Sequence, residues 1–340
     1  MNEFRNVEKI NPFKYILAVD IPYLNLEKGI IINERIKNTI LANGIFVIPV
    51  YENKAYDMTI LDESQLNEGY NEIKNELTRL ERNKYFDKKK LKEFSDNISK
   101  KMIQNKENLI YLPLKKLQEY DEYTYTHSLN VCVVATLIAR NMGLREKMVR
   151  KVSFSALIHD IGKTKISNEI LNSPNKLNDE EFRIIKNHVR YGYEIALKNK
   201  IIDEDVLGGI LYHHEKFDGK GYLYNKSDLE IPLVARIITI ADVYDALTSK
   251  RSYKKPWNNY ETISFIIQNV EKIFDKDIVS VFIKIIGLYP PGTKVMLNDY
   301  SVGTVVAARE TNELQPLIQI GECLIDLKQE NKYILKVFKE

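Results

Sequence analysis

Hydrophobic and polar positions divide the chain into four parts. Residues 1–61 carry two short apolar runs, at 15–19 and 45–50, on either side of a helical pattern near 34–42. Runs of that length around one helix predict a small α/β module. With no paired acids and no glycine loop for phosphate, it is assigned no chemistry. Residues 62–107 are rich in Glu, Lys and Asn, with sparse apolar positions at Leu66, Ile73, Leu77 and Leu80. That spacing predicts a helical connector or helical pair whose lysines at 88–92 lie on a solvated face. Such a helix could also serve as a dimer interface.

Residues 108–290 read as helical almost throughout. Val131, Val134, Ala135 and Ile138 form a stripe after His127, and Val149, Val152, Ala156 and Leu157 form another leading into His159. Asn178 with Glu181 is a capping-box pattern. It opens a helix whose Phe182, Ile185 and Val189 are expected to face the core, with His188 on the flank of the stripe and Gly192 leaving space beside it. Pro232 is expected in the first turn of a further helix, where Ala235, Ile238, Asp242, Ala246 and Ser249 share one line. From 291 the pattern changes to alternation, at Lys294–Leu297, 301–308, 316–320 and 333–338. This predicts a small antiparallel β cap with no catalytic residue. The expected fold is mainly α: a helical bundle with a small N-terminal α/β module and a small C-terminal β cap.

Composition narrows the function classes. The 340 residues suffice for two or three domains with a large core. A net charge of +3, from 50 basic and 47 acidic side chains, argues against a nucleic-acid polymer or a membrane surface as partner. Cys132 and Cys323 match no zinc spacing, which points to reduced structural thiols and a cytoplasmic protein. The first residues include acids and no apolar run, so no signal peptide is expected. Arg236, Asp242 and Lys284 interrupt the most apolar windows, 233–247 and 278–289, so no transmembrane span is expected.

The chemistry is concentrated in the histidines. There are five, His127, His159, His188, His213 and His214, and all lie in the central block. Successive helices of a bundle, each bringing one inward ligand to a common centre, would produce such intervals. His159 adjoins Asp160, a nitrogen and carboxylate pair that suits Zn, Fe, Mn or Ni. Alone the pair reads more readily as a structural hydrogen bond; grouped with the other histidines it reads as a metal site. Lys163, four residues after His159, can face the same pocket, and Gly162 keeps the backbone there uncrowded. Asp242, an acid amid small residues on an inward line, is either paired or metal-bound. His213-His214-Glu215 precedes Asp218-Gly219-Lys220-Gly221-Tyr222, a turn that needs positive φ and would form the floor of a pocket. Arg251 and Lys254 suit phosphate recognition.

These motifs, His127-Ser128, His159-Asp160-Ile161-Gly162-Lys163, His188-Val189, His213-His214-Glu215 with Asp218 to Tyr222, Ala241-Asp242 to Ala246, and Arg251-x-Tyr253-Lys254, stand in the order and spacing of HD-GYP domains. The chain resembles that family of bacterial metal-dependent cyclic di-GMP phosphodiesterases over about 108–300. The resemblance implies an HD-type bundle and a metal centre held by His127, His159, Asp160, His188, His213, His214 and Asp242, with Asp160 bridging. It implies that Lys163, Arg251 and Lys254 hold substrate phosphate, that Asp218, Gly221 and Tyr222 belong to the substrate pocket, and that Asp160 and Lys163 are catalytic. The activity implied is attack of a metal-activated hydroxide on cyclic di-GMP, giving pGpG and then in some members GMP. Two departures matter. Leu223 stands where the family signature has proline, and Tyr123 stands where three-metal members have glutamate, with Glu122 out of register. Two divalent transition metals are therefore expected, Fe or Mn first and Zn or Ni next. The alternatives are a catalytically silent cyclic-dinucleotide sensor acting through a signalling partner of the N-terminal module, and a phosphohydrolase of another nucleotide.

Overall fold

A computed structural model describes residues 3–10, 15–24, 26, 28, 30, 32, 34–52, 63–83, 85–104, 123–171, 173, 177–249, 256–257, 259–286, 289, 292–307, 315–321, 323–327, 330 and 332–338. Arg251 and Lys254, Glu122, and the side chains of Leu66 and Tyr123 lie outside the described residues.

The two apolar runs of the first module become β2 (Tyr15–Leu17) and β3 (Val47–Glu52), and the helical pattern becomes α1 (Glu34–Ala42). A further edge strand, β1 (Glu3–Asn6), completes an antiparallel sheet in the order β1-β3-β2. Leu17, Ile32, Ile36, Ile40, Ile48 and Val50 form its small core. At the other end β4 (Lys294–Leu297), β5 (Val302–Ala307), β6 (Leu317–Ile320), β7 (Cys323–Asp326) and β8 (Ile334–Val337) form an antiparallel sheet in the order β7-β6-β5-β4-β8. The strand β7 was absent from the sequence pattern because it follows β6 through a tight turn, with Gly321 at φ +57°.

Between these modules lie α2 (Glu63–Asn83), α3 (Lys88–Gln104), α4 (Tyr123–Asn141), α5 (Glu146–Ile158), a 3₁₀ turn (Ile161–Lys165), α6 (Asn168–Leu171), α7 (Asp179–Lys186), α8 (His188–Lys198), α9 (Glu204–Tyr212), α10 (Leu233–Thr248), α11 (Asn259–Gln268) and α12 (Lys276–Ile286). The central helix is α4, which packs on α5, α10, α12 and both connector helices. Its Leu129, Val131, Val134, Ala135 and Ile138 are all buried, as expected of a helix apolar nearly all round. Ile73, Leu77 and Leu80 of the connector join the same buried cluster, so its apolar stripe closes one edge of the bundle. No helix of the described residues is long and apolar enough to cross a membrane. Among the described residues neither cysteine forms a disulfide, and burial pushes the Cys132 thiol up to about 12, consistent with a structural role.

Two local expectations are corrected. Phe182 does not face the core but is 47% exposed. The helix that begins at the Asn178–Glu181 capping box stops at Lys186, and α8 restarts at His188 after Asn187, so the stripe assumed to run from Phe182 to Val189 is interrupted. Pro232 occupies the cap position, and α10 begins one residue later at Leu233.

Two close contacts set the approach of the ligand-bearing helices. A Cβ on Gly209 of α9 would fall 2.1 Å from Ser155 Oγ of α5. That hydroxyl donates to Val206 O at 2.8 Å, so α5 and α9 touch nearly backbone to backbone. Their C-terminal ends, which carry His159 and His213, thereby come together. A Cβ on Gly162 would fall 1.9 Å from His188 O, so the 3₁₀ turn after Asp160 is seated on the first turn of α8.

Candidate metal centre

Three of the five histidines are aimed by one device. A helix leaves its last carbonyls without N–H partners. His159 follows the last residue of α5, and its Nδ1 donates to Ala156 O at 2.7 Å. At the break after α7, His188 Nδ1 donates to Ile185 O at 2.7 Å. At the end of α9, His213 Nδ1 donates to Ile210 O at 2.9 Å. A carbonyl can only accept, so each Nδ1 carries the hydrogen and each neutral ring turns an Nε2 lone pair inward. His127, in the second turn of α4, is oriented by a side chain: its Nδ1 meets Asp245 Oδ2 at 2.6 Å.

These nitrogens converge on Asp160. Its Oδ2 lies 3.3 Å from His159 Nε2 and 3.5 Å from His127 Nε2. Its Oδ1 lies 3.2 Å from His188 Nε2 and 3.8 Å from His213 Nε2. The two oxygens thus face two different groups of donors. Asp160, His188, His213 and His214 form one group with ligand atoms within 4.8 Å of one another, and His127, His159 and Asp242 form the other. His127 Nε2 is 3.1 Å from Asp242 Oδ1, and His214 Nδ1 is 3.8 Å from Asp242 Oδ2. All seven residues expected as ligands are therefore brought together.

The donor set fits a divalent cation. His188 Nε2 and His213 Nε2 lie 3.3 Å apart, and both rings have already committed their hydrogens to carbonyls. Two lone pairs and a carboxylate oxygen aimed at one point repel unless positive charge lies between them. His159 Nε2 and Asp160 Oδ1 are moreover buried without a hydrogen-bond partner.

The electrostatics agree. Burial opposes ionisation of Asp160, yet Lys163 and the surrounding histidines hold its carboxyl well below the usual range. Asp242 is likewise lowered, with His127 and His214 overcoming its burial. Burial and the neighbouring histidines keep His213 neutral, and His214 is lowered to about 3, chiefly by burial. His127 goes the other way. Burial pulls it down, but hydrogen bonds to Asp242 and Asp245 raise it to about 9. In this arrangement Lys163 is the counter-charge of Asp160 and His127 that of Asp242.

The deep side of the centre is closed: His127, His159, His188 and His213 are all buried. Its open side is marked by the side chains of His214, 26% exposed, Lys163, 23% exposed, and Asp242, 11% exposed. Tyr222 forms a wall of this mouth, stacked on His214 with centroids 4.9 Å apart. Lys163 is not on a continuous α-helix with His159, as its i+4 spacing suggested; it lies in the 3₁₀ turn and reaches Asp160 from the adjacent turn. Of the Asp-Gly-x-Gly turn, Gly219 has φ +77°, as expected, whereas Gly221 is required by close packing, since a Cβ there would lie 2.4 Å from Glu215 Cα. Asp218 sits at this turn, its Oδ1 accepting from Lys220 N at 3.0 Å.

Sequence reasoning missed two positioning residues. Buried Asp245 accepts from Asn130 Nδ2 at 2.7 Å and Ser249 Oγ at 2.9 Å while orienting His127. Glu215, also buried, accepts from Tyr224 N at 2.7 Å and so ties the Tyr222 loop to the histidine pair. Asn130, a buried amide one turn from His127 on an apolar helix, was the available sign that a polar partner lay opposite.

A bundle with this His/Asp centre defines the class. The HD domain family matches residues 98–278, and the chain belongs to that family, in its HD-GYP branch. It is 36% identical over 225 residues to the cyclic di-GMP phosphodiesterase PA4108 of Pseudomonas aeruginosa, covering 66% of this chain and 54% of that protein. It is 32% identical over 219 residues to a cyclic di-GMP phosphodiesterase of Thermotoga maritima, covering 63% of this chain and 60% of that protein. The chain thus spans little more than half the length of these relatives. Among solved structures, Bd1817, an HDG"Y"P protein of Bdellovibrio bacteriovorus, shares the fold, with a TM-score of 0.51 and 14% identity over 83% of this chain and 98% of that one.

Proposed function

We propose that this protein is a metal-dependent phosphodiesterase that hydrolyses cyclic di-GMP to pGpG, lowering the level of that messenger. One observation carries the reading: the two oxygens of Asp160 face two separate sets of inward-turned imidazoles. Two cations would be held there, one by His188, His213 and His214, the other by His127, His159 and Asp242, with Asp160 shared. Fe or Mn suits this mixed nitrogen and oxygen set, and Zn or Ni would also be accepted. Divalent cations in such a site lower the pKa of water and offset charge on phosphoryl oxygens.

The chain's own residues supply the rest. Lys163, at the mouth, exchanges its contact with Asp160 for a substrate phosphoryl oxygen. Tyr222 presents an aromatic wall to a guanine, and Glu215 holds that wall in place. The curated relatives of Pseudomonas aeruginosa and Thermotoga maritima are named cyclic di-GMP phosphodiesterases and others, of Vibrio cholerae, 3'3'-cGAMP-specific phosphodiesterases, which supports a cyclic dinucleotide as the substrate class. The test is turnover by Mn- or Fe-loaded protein of cyclic di-GMP, hybrid cyclic dinucleotides and simple phosphodiesters, with products separated. Cyclic di-GMP is expected to rank first and Asp160→Ala to be inactive. Tight binding without hydrolysis would make the protein a sensor instead.

A further inference from the structure

Tyr222 at the mouth of the centre has a second neighbour. Lys186, the last residue of α7, places its Nζ 5.5 Å from the Tyr222 ring centroid and 4.5 Å from that of Phe182. Among the described residues no carboxylate lies within ion-pairing distance of this ammonium. Phe182, one turn earlier on α7, is the apolar residue that the core does not take up. The break at Asn187 separates α7 from α8 and turns this pair toward the loop of Tyr222, which stacks on the partly open ligand His214.

The energetics suit a waiting cation. Two ring faces attract an ammonium through their negative quadrupoles, weakly at an exposed site. They restrain its position without neutralising its charge or using its N–H donors on an acceptor. An ammonium held in this way is a point-charge contact for an anion. The metal centre and Lys163 account for the scissile phosphate, but a cyclic dinucleotide brings a second phosphate that must also leave water; Arg251 and Lys254, expected to hold phosphate, lie outside the described residues, and among the described ones Lys186 is the ammonium at this mouth besides Lys163.

We propose that Lys186, held between Phe182 and Tyr222, receives the phosphate that is not being cleaved, and so determines preference for two-phosphate substrates over simple diesters. This rests on the phosphodiesterase reading above. The test compares wild type, Lys186→Gln and Lys186→Arg, each with its metal content measured, on cyclic di-GMP and on bis(p-nitrophenyl) phosphate, which has one phosphate. In Lys186→Gln the ratio of kcat/KM for the dinucleotide to that for the simple diester falls about tenfold, the size of one partly solvated charged contact. The loss lies in KM, and Lys186→Arg recovers most of it. A loss shared equally by both substrates, or no change in the ratio, would overturn the proposal. A wild-type protein that cleaves the simple diester but no cyclic dinucleotide would overturn the substrate reading itself, and this one with it.

Discussion

Gly162→Ala adds one carbon and tests whether the seating of the 3₁₀ turn on α8 sets the position of His188. A Cβ at residue 162 would meet His188 O at 1.9 Å and Gly192 N at 2.4 Å. Both are backbone atoms, so no side chain can swing aside. Gly162 is not among the residues with positive φ, so its backbone tolerates alanine. By stiffening the unfolded chain, that alanine alone would stabilise by ~0.4–1 kcal/mol. The collision wins. Reaching even the 3.0 Å below which real contacts are essentially never found requires a shift of about 1 Å (3.0 − 1.9) between the turn and α8. Overpacking that cannot relax costs up to ~3 kcal/mol, which lowers Tm by roughly 6–12 °C for a domain of this size. The same shift carries His188 beyond the ~0.5 Å tolerance of a built site. Affinity for Mn should therefore fall at least tenfold. Calorimetry of metal-free and loaded protein, with chelator competition, reads both effects. Gly143→Ala is the control: φ is +72° with nothing within 4 Å, so it costs only about 1 kcal/mol of backbone strain and leaves metal affinity unchanged. A Gly162→Ala protein with wild-type Tm and affinity would refute the packing argument.

Three further outcomes are expected. Asp245→Asn keeps the shape but removes the charge that orients His127, so metal affinity drops by about 10–100-fold; a chelator titration indistinguishable from wild type would count against that role. Asp160→Ala removes the carboxylate facing both groups, so elemental analysis should find less than one metal per chain and turnover should vanish; two retained ions would refute a bridging role. In metal-free protein the raised pKa of His127, about 9 against 6.5, adds stability that is complete below pH 6.5 and is lost as pH rises through about 9. Loading the site must release that proton, so metal affinity should increase from pH 7 to 9; calorimetry in buffers of different ionisation enthalpy detects it, and binding with no proton release would contradict the assignment.

The ligand types were legible because a bundle needs each helix to deliver one inward residue, and histidines confined to one block satisfy that condition. Their aim was not. It depends on where α5, α7 and α9 stop, since the stop frees the carbonyls of Ala156, Ile185 and Ile210 for the Nδ1 hydrogens. Hydrophobic periodicity locates a helix better than it locates the end, and at Asn187 it ran straight through a break. That one error misplaced Phe182, which the unbroken pattern assigned to the core. Asp245 was hidden for another reason. It lies three residues beyond Asp242, and no rule of spacing separates a carboxylate that meets a cation from one that meets a histidine. The separation appears only when α4 and α10 are packed together, where His127 has one ring nitrogen toward each of the two acids. Asp242 also faces His214 and the open side, whereas Asp245 is enclosed by Asn130 and Ser249. The packing therefore assigns the outer acid to the cation and the inner one to the imidazole. Lengthening each side chain in turn should therefore lower the number of bound ions for Asp242→Glu and only weaken their affinity for Asp245→Glu, which acts through the His127 ring; a variant pair with identical defects would show that the two acids are not distinguished.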